Sequence, residues 1–241
     1  MSGHAYTAGT VPSRSLARRP GPRAAASALG VAGLCVAGLA LVWALAAHVP
    51  AVRLKDAVAL YDFTLLSRPR IDGPANFLLH LLDPIQFILW GVALVAVAIA
   101  RERPRVAVAV AAVMGLAPLT SETLKPLLAH PHIEVGLISI APASWPSGHS
   151  TAALALALSA LLVAPRRLRP LVASIGAIFA VAVGCSLLIL AWHMPSDVVG
   201  GYLVAIFWTA LAVAALRAAD RRWPPRHAAS VVGSGGLLPG A

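Results

Sequence analysis

Six long runs of Ala, Leu, Val and Ile divide the chain, at residues 25–49, 77–100, 106–129, 149–164, 171–192 and 198–216. Each approaches the roughly 20 apolar residues that carry a helix across a hydrocarbon core. The pattern predicts an all-α polytopic membrane protein with six transmembrane helices in a bundle, spanning residues 25–222. The fourth run is short. The second is broken by His80, Asp83 and Gln86, which moves its expected start towards Pro84. Segment 50–76 carries the sequence LYDFTLL and is expected to lie as an amphipathic stretch in the membrane interface. The first run follows basic residues but is too long for a signal-peptide core and lacks a clear cleavage site, so it is read as a retained span. Residues 1–24 and 223–241, rich in Ser, Gly, Pro and Arg, are expected to be disordered tails.

Composition strengthens this reading. The 241 residues are 59% hydrophobic and only 12% charged, whereas a soluble domain carries about 25% charged residues. The net charge of +10 raises the question of nucleic acid, but its placement answers it. With six spans, Arg14, Arg18, Arg19, Arg23, Arg101, Arg103, Arg105, Arg166, Arg167, Arg169, Arg217, Arg221, Arg222 and Arg226 all fall on one side. Arg53, Lys55, Arg68, Arg70 and Lys125 fall on the other side, with most of the acidic residues. The positive-inside rule then makes both termini cytoplasmic, and the basic excess needs no nucleic-acid partner. Cys35 and Cys185 lie inside apolar runs and read as packing residues, not as a disulfide or metal framework.

This topology brings three polar clusters to the extracytoplasmic face. One closes the third span with Glu122, Lys125, His130 and His132. Another opens the fourth with Pro146, Ser147, Gly148 and His149. The last, with His193 and Asp197, joins the fifth span to the sixth. Ionisable groups at membrane depth are costly and point to function. The first turn of a helix at Ser147-Gly148-His149 offers free N–H groups and a positive dipole end to an anion. Glycine permits close approach, and Lys125 can add a point charge. A carboxylate four residues after His193 can hold one ring nitrogen protonated and leave the other as nucleophile or base. His149 can then serve as general acid. These parts suffice for phosphoryl transfer through a phosphohistidine without a metal or other cofactor.

At these residues the chain resembles the type 2 phosphatidic acid phosphatase superfamily, membrane lipid phosphatases with three motifs. Lys125 matches the lysine of the first motif. Pro146, Ser147, Gly148 and His149 match the second in full, and Ser186, His193 and Asp197 match the third at the family's spacing. The resemblance implies a six-helix phosphatase acting on a lipid phosphate or polyprenyl pyrophosphate. In that reading His193 attacks phosphorus, Asp197 orients it and His149 protonates the leaving group. Lys125, Ser147 and Gly148 hold phosphate oxygens. The chain departs from the family where both motif arginines are expected. His132, followed by Ile133, stands at the first position and Leu187 at the second. His132, with His130, is expected to supply part of the missing charge, best at acidic pH because an ordinary imidazole titrates near about 6.5.

Plainer readings stand beside these. The serine of Pro-Ser-Gly-His is also a favoured helix cap, and His193 with Asp197 can be a structural hydrogen bond. Lys125 can snorkel at the interface or pair with Glu122 one helical turn away. The His130-Pro131-His132 loop can be solvated and idle, or bind a metal. Ser159, Gly200 and Gly201 suit close helix packing. The rival functions are a non-catalytic lipid-phosphate binder or transporter, and a phosphotransferase of the same fold.

Overall fold

The computed structural model describes residues 22–134 and 138–223; nearly all of both expected tails, with Arg14, Arg18, Arg19 and Arg226, lies outside these residues. Among the described residues there are eight helices and no strand. They are α1 (Pro22–His48), α2 (Pro50–Thr64), α3 (Pro69–His80), α4 (Pro84–Ala100), α5 (Pro104–Leu127), α6 (Gly148–Val163), α7 (Arg169–Ile189) and α8 (Pro195–Arg222). Six of them open on a proline, whose fixed φ suits a first turn and whose absent N–H would have found no partner there.

Four helices (α1, α5, α7 and α8) are long and apolar enough to cross a membrane. The pair α3–α4 makes a fifth candidate span bent by 57°, and α6, with 16 residues, is a shorter apolar helix. The second span, expected over 77–100 with its start nearer Pro84, begins as α4 at Pro84, and residues 77–80 belong to α3. Asp83 stands at the N-cap position of α4 with its carboxylate turned back to His80 Nδ1 at 2.9 Å, and the chain turns at Leu81–Asp83 because Pro84 cannot continue the preceding helix. The stretch expected over 50–76 is more broken than its sequence suggested. It forms two helices, parted where Pro69 starts α3.

Helix α6 lies at the centre, against α5, α7 and α8, while α1 runs along α8. Helix α2 leans on α7 and α8, and α3 on α7. Small residues make the central contacts possible. Gly176 meets Ala157 across the α6–α7 interface; a Cβ at Gly176 would stand 2.9 Å from that of Ala157. Val113, Ala117, Ala155, Val204 and Ala205 fill the α5–α6–α8 core. Cys35 is buried in α1 and both cysteines are free.

The link from α7 to α8 aims one of the site's side chains. Trp192 N–H donates to Leu187 O and Ala191 N–H to Leu188 O. This is the paired bond of a Schellman ending, with Ala191 in the left-handed region at φ 53° where glycine is usual. The turn stops α7 sharply and hands the chain to His193 and Pro195.

Candidate active site

The Trp145–Gly148 turn is held from several sides. Ser121 on α5 donates its hydroxyl hydrogen bond to Pro146 O (2.9 Å), and Ser147 N–H donates to Asp197 O (2.9 Å). Ser147 caps α6 by accepting from Ser150 N–H at 3.4 Å, and its carbonyl accepts from the Thr151 hydroxyl at 2.8 Å. Gly200 and Gly201 let α8 press on this turn. A Cβ at Gly200 would stand 2.8 Å from Trp145 Nε1, and one at Gly201 would lie 2.5 Å from Ser147 O. With the Ser147 and Ser150 amides committed, the donors left at this helix start are the Gly148 and His149 N–H groups. The expected use of Ser147 N–H for an anion is thereby corrected: Asp197 O already takes it.

Lys125 and Glu122 reach the same spot from α5. Their ion pair is 2.6 Å long, and Glu122 Oε1 lies where a Cβ on Gly148 would be only 2.8 Å away. Glu122 is 59% exposed against 22% for Lys125, so the carboxylate is the partner able to swing out. His149 sits in the field of His193, Asp83, Lys125 and Glu122, and its ring meets Trp192 edge-on at 5.6 Å.

Behind His193, Asp197 is completely buried. Its Oδ2 accepts from Met194 N–H (3.0 Å) and faces His193 Nδ1 at 3.2 Å, while Oδ1 is buried without a partner. A carboxylate accepts, so Nδ1–H is the donor of this pair and Nε2 is the ring nitrogen turned away from it. His193 retains 12% exposure, enough to present Nε2 to a ligand.

The third-span cluster divides. His130 is buried, with Nδ1 donating to Leu128 O at 3.1 Å and Nε2 unpartnered, and its ring packs 4.8 Å from that of His132. A fully solvated loop is therefore not what forms. His132 Nε2 bonds to Ser144 Oγ at 3.0 Å, and its ring also bonds to Ala141 backbone. Burial pushes the His132 imidazole below its usual range, opposed by the charge of Asp197 and assisted by His130 and Arg53. Ser186 donates its hydroxyl to Ala182 O within α7. Leu187 is fully buried and belongs to the same apolar cluster as Val183, Leu188 and Val198. Among the described residues, no group of three or more His, Cys, Asp or Glu is placed to hold a metal ion.

A cleft of about 430 Å³ opens beside Lys125, Gly148 and His149, walled by Asp83, Phe87, Ile88 and Met114. It continues through Phe87, Ile88 and Met114 into a second apolar groove of about 300 Å³ that descends between α4 and α5 past Gly91 and Gly115.

The model of the PAP2 superfamily matches residues 88–221, more than half of the chain. This chain belongs to the PAP2 superfamily. No curated protein matches it. Among solved structures it is similar to a transmembrane PAP2-type phosphatidylglycerolphosphate phosphatase from Bacillus subtilis, at 22% identity and a TM-score of 0.64. That match covers 80% of this chain and 96% of the other. The likeness is one of fold, and it makes this PAP2 chain a helical membrane protein with the fold of a membrane phosphatase.

Two further residues beside the candidate site had no motif to reveal them. Asp56 on α2 caps α8 from outside its own helix, accepting from Ser196 N–H (3.0 Å) and the Ser196 hydroxyl (2.6 Å). Burial holds its carboxyl above the usual range, against the lowering effect of those two bonds. Arg53, one turn earlier, donates to Pro131 O at 2.7 Å and has its Nε buried without a partner. The only sequence signal was their charge, on an otherwise half-apolar stretch.

Proposed function

We propose that this PAP2 protein hydrolyses a lipid phosphate or polyprenyl pyrophosphate at the extracytoplasmic face, through a phosphohistidine on His193 and without a metal. One observation carries the reading: a buried carboxylate fixes His193 Nδ1 while Nε2 stays free, beside a helix start with two unclaimed amides and a lysine.

The phosphate enters with oxygens on Gly148 N–H, His149 N–H and Lys125, displacing Glu122. His193 Nε2 attacks phosphorus, and the bond to the leaving oxygen breaks. That oxygen takes a proton from His149. Neutral His149 then accepts a proton from water, whose oxygen attacks phosphorus and breaks the P–N bond, returning His193 and inorganic phosphate. Asp197 stabilises the positive charge that His193 carries as the bond forms. Arg53 is the outer-face cation closest in role to the missing motif arginines, because Leu187 is apolar and both His132 nitrogens already have partners. The apolar groove between α4 and α5 supports a substrate whose chain stays in the bilayer. The clustering of arginines at the opposite end supports cytoplasmic termini.

Phosphate release by detergent-purified protein, with EDTA present and with phosphatidic acid, phosphatidylglycerol phosphate and polyprenyl pyrophosphate as substrates, tests the reading. Turnover that survives EDTA and disappears in His193→Ala is expected. An equally active His193→Ala sinks the mechanism, loss with EDTA assigns the histidines to a metal, and binding without turnover favours the non-catalytic rival. Phosphoryl transfer to an added alcohol in place of water identifies a phosphotransferase.

A further inference from the structure

The end of the bundle away from His193 holds a second charged cleft. Helix α6 runs from the site at Gly148 to Val163, about 24 Å at 1.5 Å per residue. Around its far end a cleft of about 570 Å³ is lined by Arg103, Arg169 and Arg217, with Val106, Ala173 and Val213 among its apolar wall residues. No carboxylate lines it. The three arginines come from the start of α5, the start of α7 and the last turns of α8, so only the folded bundle gathers them.

Arg103 is anchored. Its Nη1 donates to Leu162 O (3.2 Å) and Val163 O (3.3 Å), carbonyls at the C-terminal end of α6. Burial disfavours its charge, as do the neighbouring Arg169 and Arg101, while Asp220 acts against them. The nearby acidic group, Asp220, is bonded at 3.0 Å to Arg105, which lies outside the cleft. Positive charge is thus concentrated in a recess with apolar walls.

We propose that this cleft binds an anionic phospholipid of the adjacent leaflet, its phosphodiester held between Arg103 and Arg169 and one acyl chain lying along Val106, Ala173 and Val213. Basic pockets between membrane helices suit such headgroups because guanidinium forks match phosphate oxygens and the chain needs an apolar wall. A positive end is also what topology alone demands. The difference lies in geometry: Arg166 and Arg167 are exposed on the turn before α7 and do not line this cleft, although they serve topology equally well.

The test is native mass spectrometry of the full-length protein, titrated in detergent with dioleoyl-phosphatidylglycerol or dioleoyl-phosphatidylcholine. One phosphatidylglycerol is expected to stay bound where phosphatidylcholine does not. Arg169→Gln should weaken its retention about tenfold, the loss of one charge-assisted hydrogen bond, whereas the double variant Arg166→Gln/Arg167→Gln should retain it. Arg169 is exposed, so this variant leaves the Arg103 bonds to α6 intact. Arg103→Lys, which keeps the charge and loses the fork, should also weaken retention. Equal losses in the Arg169 and Arg166/Arg167 variants would reduce the site to diffuse surface charge and overturn the proposal. So would equal retention of phosphatidylcholine, or inorganic phosphate that displaces the lipid in the low millimolar range.

Discussion

Replacing Asp197 by Asn separates the orienting role of this carboxylate from its structural one. Asn keeps the shape and an oxygen for Met194 N–H, the 3.0 Å bond that ties the start of α8. It removes the charge facing His193 Nδ1 at 3.2 Å. A hydrogen bond to a charged group contributes about 1.5–3 kcal/mol. The imidazolium that forms as His193 bonds to phosphorus loses that support, so turnover should drop about 10- to 150-fold at 1.36 kcal/mol per factor of ten. The loss deepens if the amide NH₂ turns to Nδ1 and imposes the wrong tautomer. The assay is kcat for phosphate release beside thermal melting of the same sample, with Asp197→Ala as the structural control that loses both bonds. Asp197→Asn should melt close to wild type while Asp197→Ala melts lower. An Asp197→Asn protein with unchanged kcat and unchanged melting would refute the orienting role.

Gly201→Ala drives a methyl into the Ser150 hydroxyl and Ser147 O, so it should cost about 1–3 kcal/mol and lower both melting temperature and turnover. Ala191→Gly relieves a left-handed alanine that costs about 1–2 kcal/mol, partly offset by glycine entropy; a small rise in melting temperature with unchanged kcat is expected. His132 has a lowered folded pKa, so the unfolded chain binds its proton first as pH falls. The stability it contributes is complete above about 6.5 and is lost below that value. Melting temperature should fall there and fall less in His132→Gln, and any gain in phosphate affinity from His132 should appear in the same acidic window, not through neutrality. Arg53→Gln should raise KM about tenfold, as one charge-assisted contact allows, with kcat less affected; an unchanged KM removes Arg53 from phosphate binding.

The spans and motifs were legible because their signals are local. Apolar runs mark α1, α5, α7 and α8, and Lys125, Pro-Ser-Gly-His and His193 with Asp197 keep fixed spacing along the chain. The break at Asp83-Pro84 was visible too, as polar residues inside an apolar run. What stayed hidden depends on contacts between distant segments. Asp56 meets Ser196 across 140 residues and Arg53 meets Pro131 across 78, and neither leaves a periodic trace. The commitment of Ser147 N–H to Asp197 O and of His132 to Ser144 likewise follows only once α5, α6 and α8 are packed. The helices within 50–76 were obscured because their polar and apolar residues resemble an interfacial stretch, while Pro50 and Pro69 set where they begin.

Covalent phosphate on His193 is the central claim. Wild-type protein mixed with polyprenyl pyrophosphate, quenched at alkaline pH on the turnover timescale and digested, should yield the His193 peptide carrying a phosphoryl group. The same peptide from His193→Ala should carry none. Steady turnover by wild type with no phosphoryl group on His193 at any quench time, or with one on another residue, would contradict the account.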